Sequence, residues 1–319
     1  MPMLLLVACL GQAAPSAPDP GPLVRALWLV QRHGTAEAKD PTNDQRIKGV
    51  LAKALAKDGL ITRPELGNFM ESETFNTLAG ADAKLDSSEI ARAVGEATPE
   101  SRERMLPALR EHADYLATTF DLIDEPHREA GAKLASWIAA NYRPGTPLQV
   151  TVVCTGNSRR SILGSSMGNL AASYYGMPEI RFHSGGTAPT AFNPRTAKAL
   201  EAIGFEVEST GQEATRGEPG TANSIYRVRW GDGLEATEFS KHYGDASNPQ
   251  SGFAALMVCG EADESCPTVR GAALRVSMPY LDPKIYDGGA YEAIKYAERR
   301  DDIGRLMMSA MVQARGASR

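Results

Sequence analysis

Cys154 stands in the segment with the clearest chemical signature. The run Val152-Val153-Cys154-Thr155-Gly156-Asn157-Ser158-Arg159-Arg160-Ser161 sets a cysteine at the end of a β-branched, apolar stretch. An arginine follows six residues on, and then a helix-like sequence. A loop entering a helix N-terminus turns successive backbone N–H groups inward, so Thr155, Gly156, Asn157, Ser158 and Arg159 are expected to form an anion cradle. The helix dipole and a neighbouring arginine stabilise a thiolate. Arg160 is expected to hold two oxygens of a tetrahedral oxyanion with its planar fork. Ser161 is placed to donate a hydrogen bond to the sulfur. Gly156 permits a tight turn, and Asn157 tolerates a left-handed backbone. A cysteine can also serve only as a small buried hydrophobe, but C-x-G-N-x-x-R-S between a strand and a helix points to catalysis.

The chain holds four cysteines: Cys9, Cys154, Cys259 and Cys266. If Cys9 is lipidated or removed, three remain. An odd number cannot all pair, so at least one free thiol is expected.

Over residues 147–312 the chain resembles the low-molecular-weight protein tyrosine phosphatases and the thioredoxin-coupled arsenate reductases that share their fold. Beside the Cys154 motif, Ser184-Gly185-Gly186-Thr187 is similar to the family's S-A-G-T segment. Asn193-Pro194-Arg195 through Gly204-Phe205 is similar to the helix that follows it, and Leu281-Asp282-Pro283 to the late D-P loop. The resemblance implies a four-stranded parallel sheet flanked by helices, with Asp282 as general acid. Many members carry a second cysteine directly before the loop arginine, where this chain has Arg159. The protective disulfide of those members is therefore impossible here. Arg159 adds positive charge at the rim, for substrate attraction or as solvated charge.

Cys259 and Cys266 are separated by six residues, Gly260 to Ser265, a spacing shared with the arsenate reductases. The resemblance implies a relay. Cys154 attacks arsenate, Cys259 attacks Cys154 and releases arsenite, and Cys266 attacks Cys259 to leave a disulfide for a thioredoxin-like reductant. The sulfurs must approach to ~2 Å, so residues 260–265 are expected to be a mobile, solvated loop. Three other readings stay open. Cys259 and Cys266 can form a static disulfide. They can be inherited features of a phosphatase that hydrolyses phosphate monoesters through a Cys154–phosphate intermediate. The chain can also be a non-enzymatic, oxyanion-binding envelope protein. None of these readings calls for a cofactor or a metal.

The elements that must position these residues follow from hydrophobic periodicity. Leu148–Val153, Ile180–Ser184, Phe253–Val258 and Leu274–Met278 read as strands. Helices are expected over Ile162–Tyr175, from Asn193-Pro194 to near Gly204, and over residues 290–311. Strands alternating with helices make an α/β fold with a parallel sheet. Ile225–Trp230 and Glu235–Phe239 around Gly231-Asp232-Gly233 read as an inserted hairpin, which could build a different substrate rim. Ile47 to Ile138 reads as helical, with no strong strand signal between Leu60 and Trp137; Thr98-Pro99 opens one helix. The expected organisation is a leader and linker over 1–22, a helical region over 23–145 and a catalytic domain over 146–319.

Residues 3–10, MLLLVACL, resemble an export signal, and Leu6-Val7-Ala8-Cys9 resembles a lipobox, although the basic n-region is missing. The expected location is the cell envelope with a lipid anchor at Cys9; the alternative is the cytoplasm. Arg32-His33-Gly34 imitates the histidine-phosphatase motif, but the helical sequence that follows does not supply that chemistry's other residues. Lys57 to Glu65 and Asp82 to Glu89 each resemble the second half of an EF-hand loop. Ala54, Ala56, Leu78 and Gly80 fill the first and third ligand positions, so a degenerate helix–loop–helix pair without calcium is expected. A net charge of −5 argues against a nucleic-acid partner, and no apolar run reaches the ~20 residues of a membrane span.

Overall fold

The computed structural model describes residues 57–66, 75, 79, 82–86, 100–117, 119–266 and 268–317. The lipobox, the Arg32-His33-Gly34 motif and the helix start at Thr98 lie outside the described residues. The chain divides into two compact units, the described residues up to 86 falling in the first and those from 100 onward in the second.

In the first unit, strands β1 (Leu60–Thr62) and β2 (Lys84–Asp86) pair antiparallel with Ile61 opposite Leu85, both fully buried. Helix α1 (Arg63–Leu66) follows β1 directly, and Glu65 accepts hydrogen bonds from the Thr62 amide and hydroxyl. The two strands correct the expectation of a strand-free segment after Leu60. Each is three residues long, too short for a period-two pattern to register. Gly59 and Ala83, at the matching turn position before each strand, both have positive φ, 75° and 54°.

The second unit begins with α2 (Glu100–Glu103), α3 (Pro107–Ala117) and α4 (Glu125–Asn141). Asp124 caps α4 by accepting from the His127 amide, and Pro126 lies in its first turn. Then come β3 (Leu148–Cys154), α5 (Arg160–Tyr174), β4 (Ile180–Gly186) and α6 (Pro194–Glu201). Next are β5 (Glu206–Glu213), β6 (Ser224–Gly231), β7 (Leu234–Glu238) and β8 (Phe253–Met257). Helix α7 (Gly260–Ser265), strand β9 (Ala272–Ser277) and helix α8 (Glu292–Ala317) complete the chain.

Strands β4, β3, β8 and β9 form, in that order, a four-stranded, all-parallel sheet flanked by helices. β8 is buried at every position and β3 from Val150 onward, as expected of central strands covered on both faces. Helix α5 sits close on the sheet because it carries glycines there. A Cβ on Gly164 would stand 2.7 Å from Val152, and one on Gly168 2.4 Å from Phe182. α4 and α3 pack against α8, so residues 100–141, grouped by sequence with the helical N-terminal region, build the second unit instead. Their apolar faces (Leu109, Ala113, Leu116; Leu134, Ala135, Ile138) are buried there.

The insertion is a three-stranded antiparallel sheet, β5-β6-β7. The hairpin β6–β7 lies where its alternation predicts. β5 was not legible, since EVESTGQE is polar and mostly exposed. Among the described residues no helix is long and apolar enough to cross a membrane.

Candidate active site

β3 is flanked by β4 on one side and by β8 on the other, so the chain order switches direction at β3. In open parallel sheets the crevice beyond such a point, at the carboxyl ends of the strands, is where ligands bind. Cys154 is the last residue of β3, opposite Gly186 of β4.

The loop from Cys154 to α5 has its two kinds of backbone group sorted. The carbonyls face protein donors: Cys154 O accepts from Thr187, Thr155 O from Ala188, Gly156 O from Thr190 and Ser158 O from Asn193, at 2.9–3.2 Å. The N–H groups of Gly156, Asn157, Ser158, Arg159 and Arg160 donate to no acceptor among the described residues. Asn157 makes this possible with a left-handed φ of 42°. Its buried amide donates to Ser161 Oγ at 2.8 Å and accepts from the Lys241 amide at 2.8 Å. Gly156 keeps negative φ; its value lies in close approach, since a Cβ would meet Thr190 Oγ1 at 3.2 Å. An array of adjacent unpaired N–H groups at a helix N-terminus is an anion site by geometry.

Ser161 Oγ lies 3.1 Å from Cys154 Sγ. Because Asn157 donates to this hydroxyl, its hydrogen is free to point at the sulfur. Arg160 is 8% exposed. Its two terminal nitrogens donate to Tyr280 O at 2.8 Å and Asp282 Oδ2 at 2.6 Å, while Nε has no partner. The expected two-pronged grip on an oxyanion is therefore modified. Asp282 and a peptide carbonyl hold the fork, and the buried Nε is left over. Asp282 also accepts from the Lys284 amide, capping the short turn Pro283–Tyr286. Tyr280 is buried against His127, with ring centroids 4.2 Å apart, and burial raises its hydroxyl well above the usual tyrosine range.

Arg159 does not stand free at the rim. Nε donates to Tyr296 OH at 2.6 Å and a terminal nitrogen to Asp287 at 2.9 Å. Burial opposes its charge, but Tyr296, Asp282 and Asp287 outweigh it and hold the guanidinium above its ordinary pKa. Its side chain fixes the start of α5 to the Asp287 loop rather than standing as freely solvated charge.

Cys259 is fully buried two residues beyond β8. Its Sγ accepts from the Ala262 amide at 3.4 Å as the N-cap of α7, and lies 3.4 Å from Thr155 Oγ1. Thr155 donates its hydrogen to Glu261 Oε2 at 3.1 Å. Cys266 is the C-cap of the same helix, and its Sγ approaches Tyr243 OH and Thr268 O. Cys154, Cys259 and Cys266 are all free thiols, so the static disulfide is not formed. Residues 260–265 are a helical turn rather than the expected open loop. A cysteine cap and the Asp263–Arg275 ion pair order it.

The structure thus gathers Cys154, Thr155, Gly156, Asn157, Ser158, Arg160, Ser161, Asp282 and Cys259 around one strand end, and turns the Arg159 side chain and Cys266 to other partners. Sequence reasoning did not reach Tyr280, Ser240 or Lys241, which act through backbone groups or from the insertion. Among the described residues no cluster of His, Cys, Asp and Glu could hold a metal ion. No family model matches the chain, and no curated protein matches it.

Proposed function

We propose that this protein is a thiolate-based oxyanion enzyme with the low-molecular-weight phosphatase fold, and that it reduces arsenate through a three-cysteine relay. The observation that carries the reading is the loop itself. Five unpaired N–H groups follow Cys154 in the loop, the neighbouring Arg160 keeps a buried Nε without a partner, and a second free thiol, Cys259, touches the next residue, Thr155. Preorganised donors of this kind stabilise charge on a transferring oxyanion.

In this reading Cys154 attacks arsenic(V), and an arsenate oxygen leaves as water. Cys259 then attacks the Cys154 sulfur, and the As–S electron pair stays on arsenic, which departs as arsenite. Cys266 attacks Cys259, freeing Cys154. Two thiols lose two electrons and arsenic gains them. A thioredoxin-like dithiol takes up the disulfide. The last exchange needs α7 to unwind. Its two capping cysteines are seven residues apart, ~10 Å at helical rise, whereas disulfide Cα atoms lie within ~7 Å. Gly260 has open space around it, which eases that change.

A second reading, hydrolysis of phosphate monoesters, is favoured by one observation. Leu281, Ile285, Tyr291 and Ile294 are 62–76% exposed along the stretch that carries Asp282. An apolar lip suits an organic leaving group and has no use for inorganic arsenate. An incoming anion would compete with Asp282 for Arg160; the released carboxylate, once it has taken a proton from solvent or from the substrate monoanion, could pass it to the leaving oxygen.

One experiment separates the two. A single turnover with arsenate and no reductant should leave a Cys259–Cys266 disulfide, and Cys266→Ser should instead trap Cys154–Cys259, both read by mass spectrometry. Turnover of p-nitrophenyl phosphate with neither disulfide formed would replace the reductase with the phosphatase.

A further inference from the structure

We propose that Glu238, Ser240 and Lys241, delivered by the inserted sheet, are positioning residues that hold the oxyanion loop in its binding shape. The inference rests on the reading of that loop as an oxyanion site.

The starting point is a buried charge pair that the chemistry at Cys154 does not use. Glu238 ends β7, and its side chain and that of Lys241 are 3% and 4% exposed, with Lys241 Nζ 3.7 Å from Glu238 Oε2. Burying two ions is costly unless every lone pair and proton finds a partner. Here the carboxylate's partners are specific. Ser165 Oγ donates to one carboxylate oxygen at 2.7 Å and Ser184 Oγ to the other at 2.6 Å. The ammonium also lies 4.5 Å from the centre of the Phe239 ring. Ser165 is one helical turn beyond Ser161 on α5, and Ser184 is on β4. A single carboxylate therefore ties the insertion to the helix that starts at the loop and to the neighbouring strand.

The next residues reach the loop directly. Ser240 Oγ donates to Gly156 O at 3.0 Å and accepts from the Thr190 amide at 3.0 Å. The buried Asn223, just before β6, pins Ser240 from both sides through its side-chain amide. The Lys241 amide donates to Asn157 Oδ1, and its carbonyl accepts from Gly186. Asn157 is the left-handed residue on which the sorting of N–H and carbonyl groups depends. The connection runs from the ion pair to the Lys241 backbone, to the Asn157 amide, to Ser161 and to Cys154. The exit segment of the insertion thus braces the loop.

The test reads oxyanion affinity directly. Cys154 in the full chain is alkylated with iodoacetamide at graded arsenate concentrations, and the half-protecting concentration is measured by mass spectrometry. Glu238→Gln leaves a lone buried ammonium beside the loop and should raise that concentration ~10-fold or more, as small misplacements of donors do. Removing both charges in Glu238→Gln/Lys241→Met should recover most of the loss. Ser240→Ala, which deletes only the Gly156 and Thr190 contacts, should shift it more mildly and serves if Glu238→Gln fails to fold. Arg102→Met breaks another buried ion pair, with Asp114, and is the control for plain destabilisation. It should lower the melting temperature without moving the half-protecting concentration. Protection unchanged in the Glu238 and Ser240 variants, or shifted equally by Arg102→Met, would overturn the positioning role. No protection of Cys154 in the unaltered protein would overturn the oxyanion reading itself.

Discussion

β3 and β8 are neighbours in the sheet, run parallel, and each leads within two residues to a cysteine ahead of a helix. The two junctions are nevertheless built differently. After Cys154 the chain spends five residues on a loop before α5 begins at Arg160, and the helix end keeps its N–H groups unpaired toward that loop. Cys259 is itself the cap of α7, so its sulfur takes the Ala262 N–H. The strand–loop–helix junction leaves a row of unpaired N–H groups. A strand–cap–helix junction makes a sheltered thiol. The difference lies in whether the cysteine stands a five-residue loop ahead of the helix or caps it and takes one of its orphan donors.

The largest expected effect separates the two cysteines. Cys154→Ser should lower both arsenate reduction and ester hydrolysis by on the order of 10⁴-fold or more, since in the proposed chemistry each reaction starts with the Cys154 attack. Cys259→Ser should abolish reduction and leave ester hydrolysis near that of the unaltered protein. Steady-state rates with the two substrates check this, and equal losses of hydrolysis would erase the distinction.

A smaller effect probes the loop. Asn157→Ala removes two buried hydrogen bonds and puts a Cβ residue at φ 42°, together worth ~3 kcal/mol of stability. Asn157→Gly removes the same bonds but accepts the backbone angle, so it should lose ~1 kcal/mol less. Urea denaturation of the two variants reads the difference. If they are equally stable, the left-handed residue is not what shapes the loop.

The smallest effect probes the cap. Cys259→Ala deletes the acceptor for the Ala262 N–H and should cost ~1 kcal/mol, whereas Cys259→Ser supplies another acceptor and should cost less. Hydrogen exchange at residues 262–266 is the measurement. Equal exchange in both variants would mean that the sulfur does not organise α7.

The parallel sheet was legible because its strands are apolar runs followed by helical periodicity, the pattern of βαβ units. The Cys154 loop was legible because its meaning lies in adjacent residues: a strand end, Gly156, Asn157, and a helix start at Arg160. β1, β2 and β5 were not legible. The first two are too short to show a period, and β5 is held by pairing with β6 rather than by apolar side chains of its own. The helical nature of residues 260–265 was masked by their acidic composition, which reads as a solvated loop until Cys259 is seen capping it and Arg275 pairing with Asp263.

By itself the sequence determined the α/β class, the order of the segments of the parallel sheet, and the candidate residues for the proposed oxyanion chemistry. All of these depend on local patterns of burial and backbone preference. Only the tertiary structure decided how those residues are used. It turned Arg159 to Asp287, set Asp282 on Arg160, brought Cys259 to Thr155 across 104 residues, and carried Lys241 to Asn157 across 84. Side-chain and backbone partners so far apart in the chain leave no periodic trace. Their pairing is enforced when the core packs and every buried donor and acceptor must find a partner.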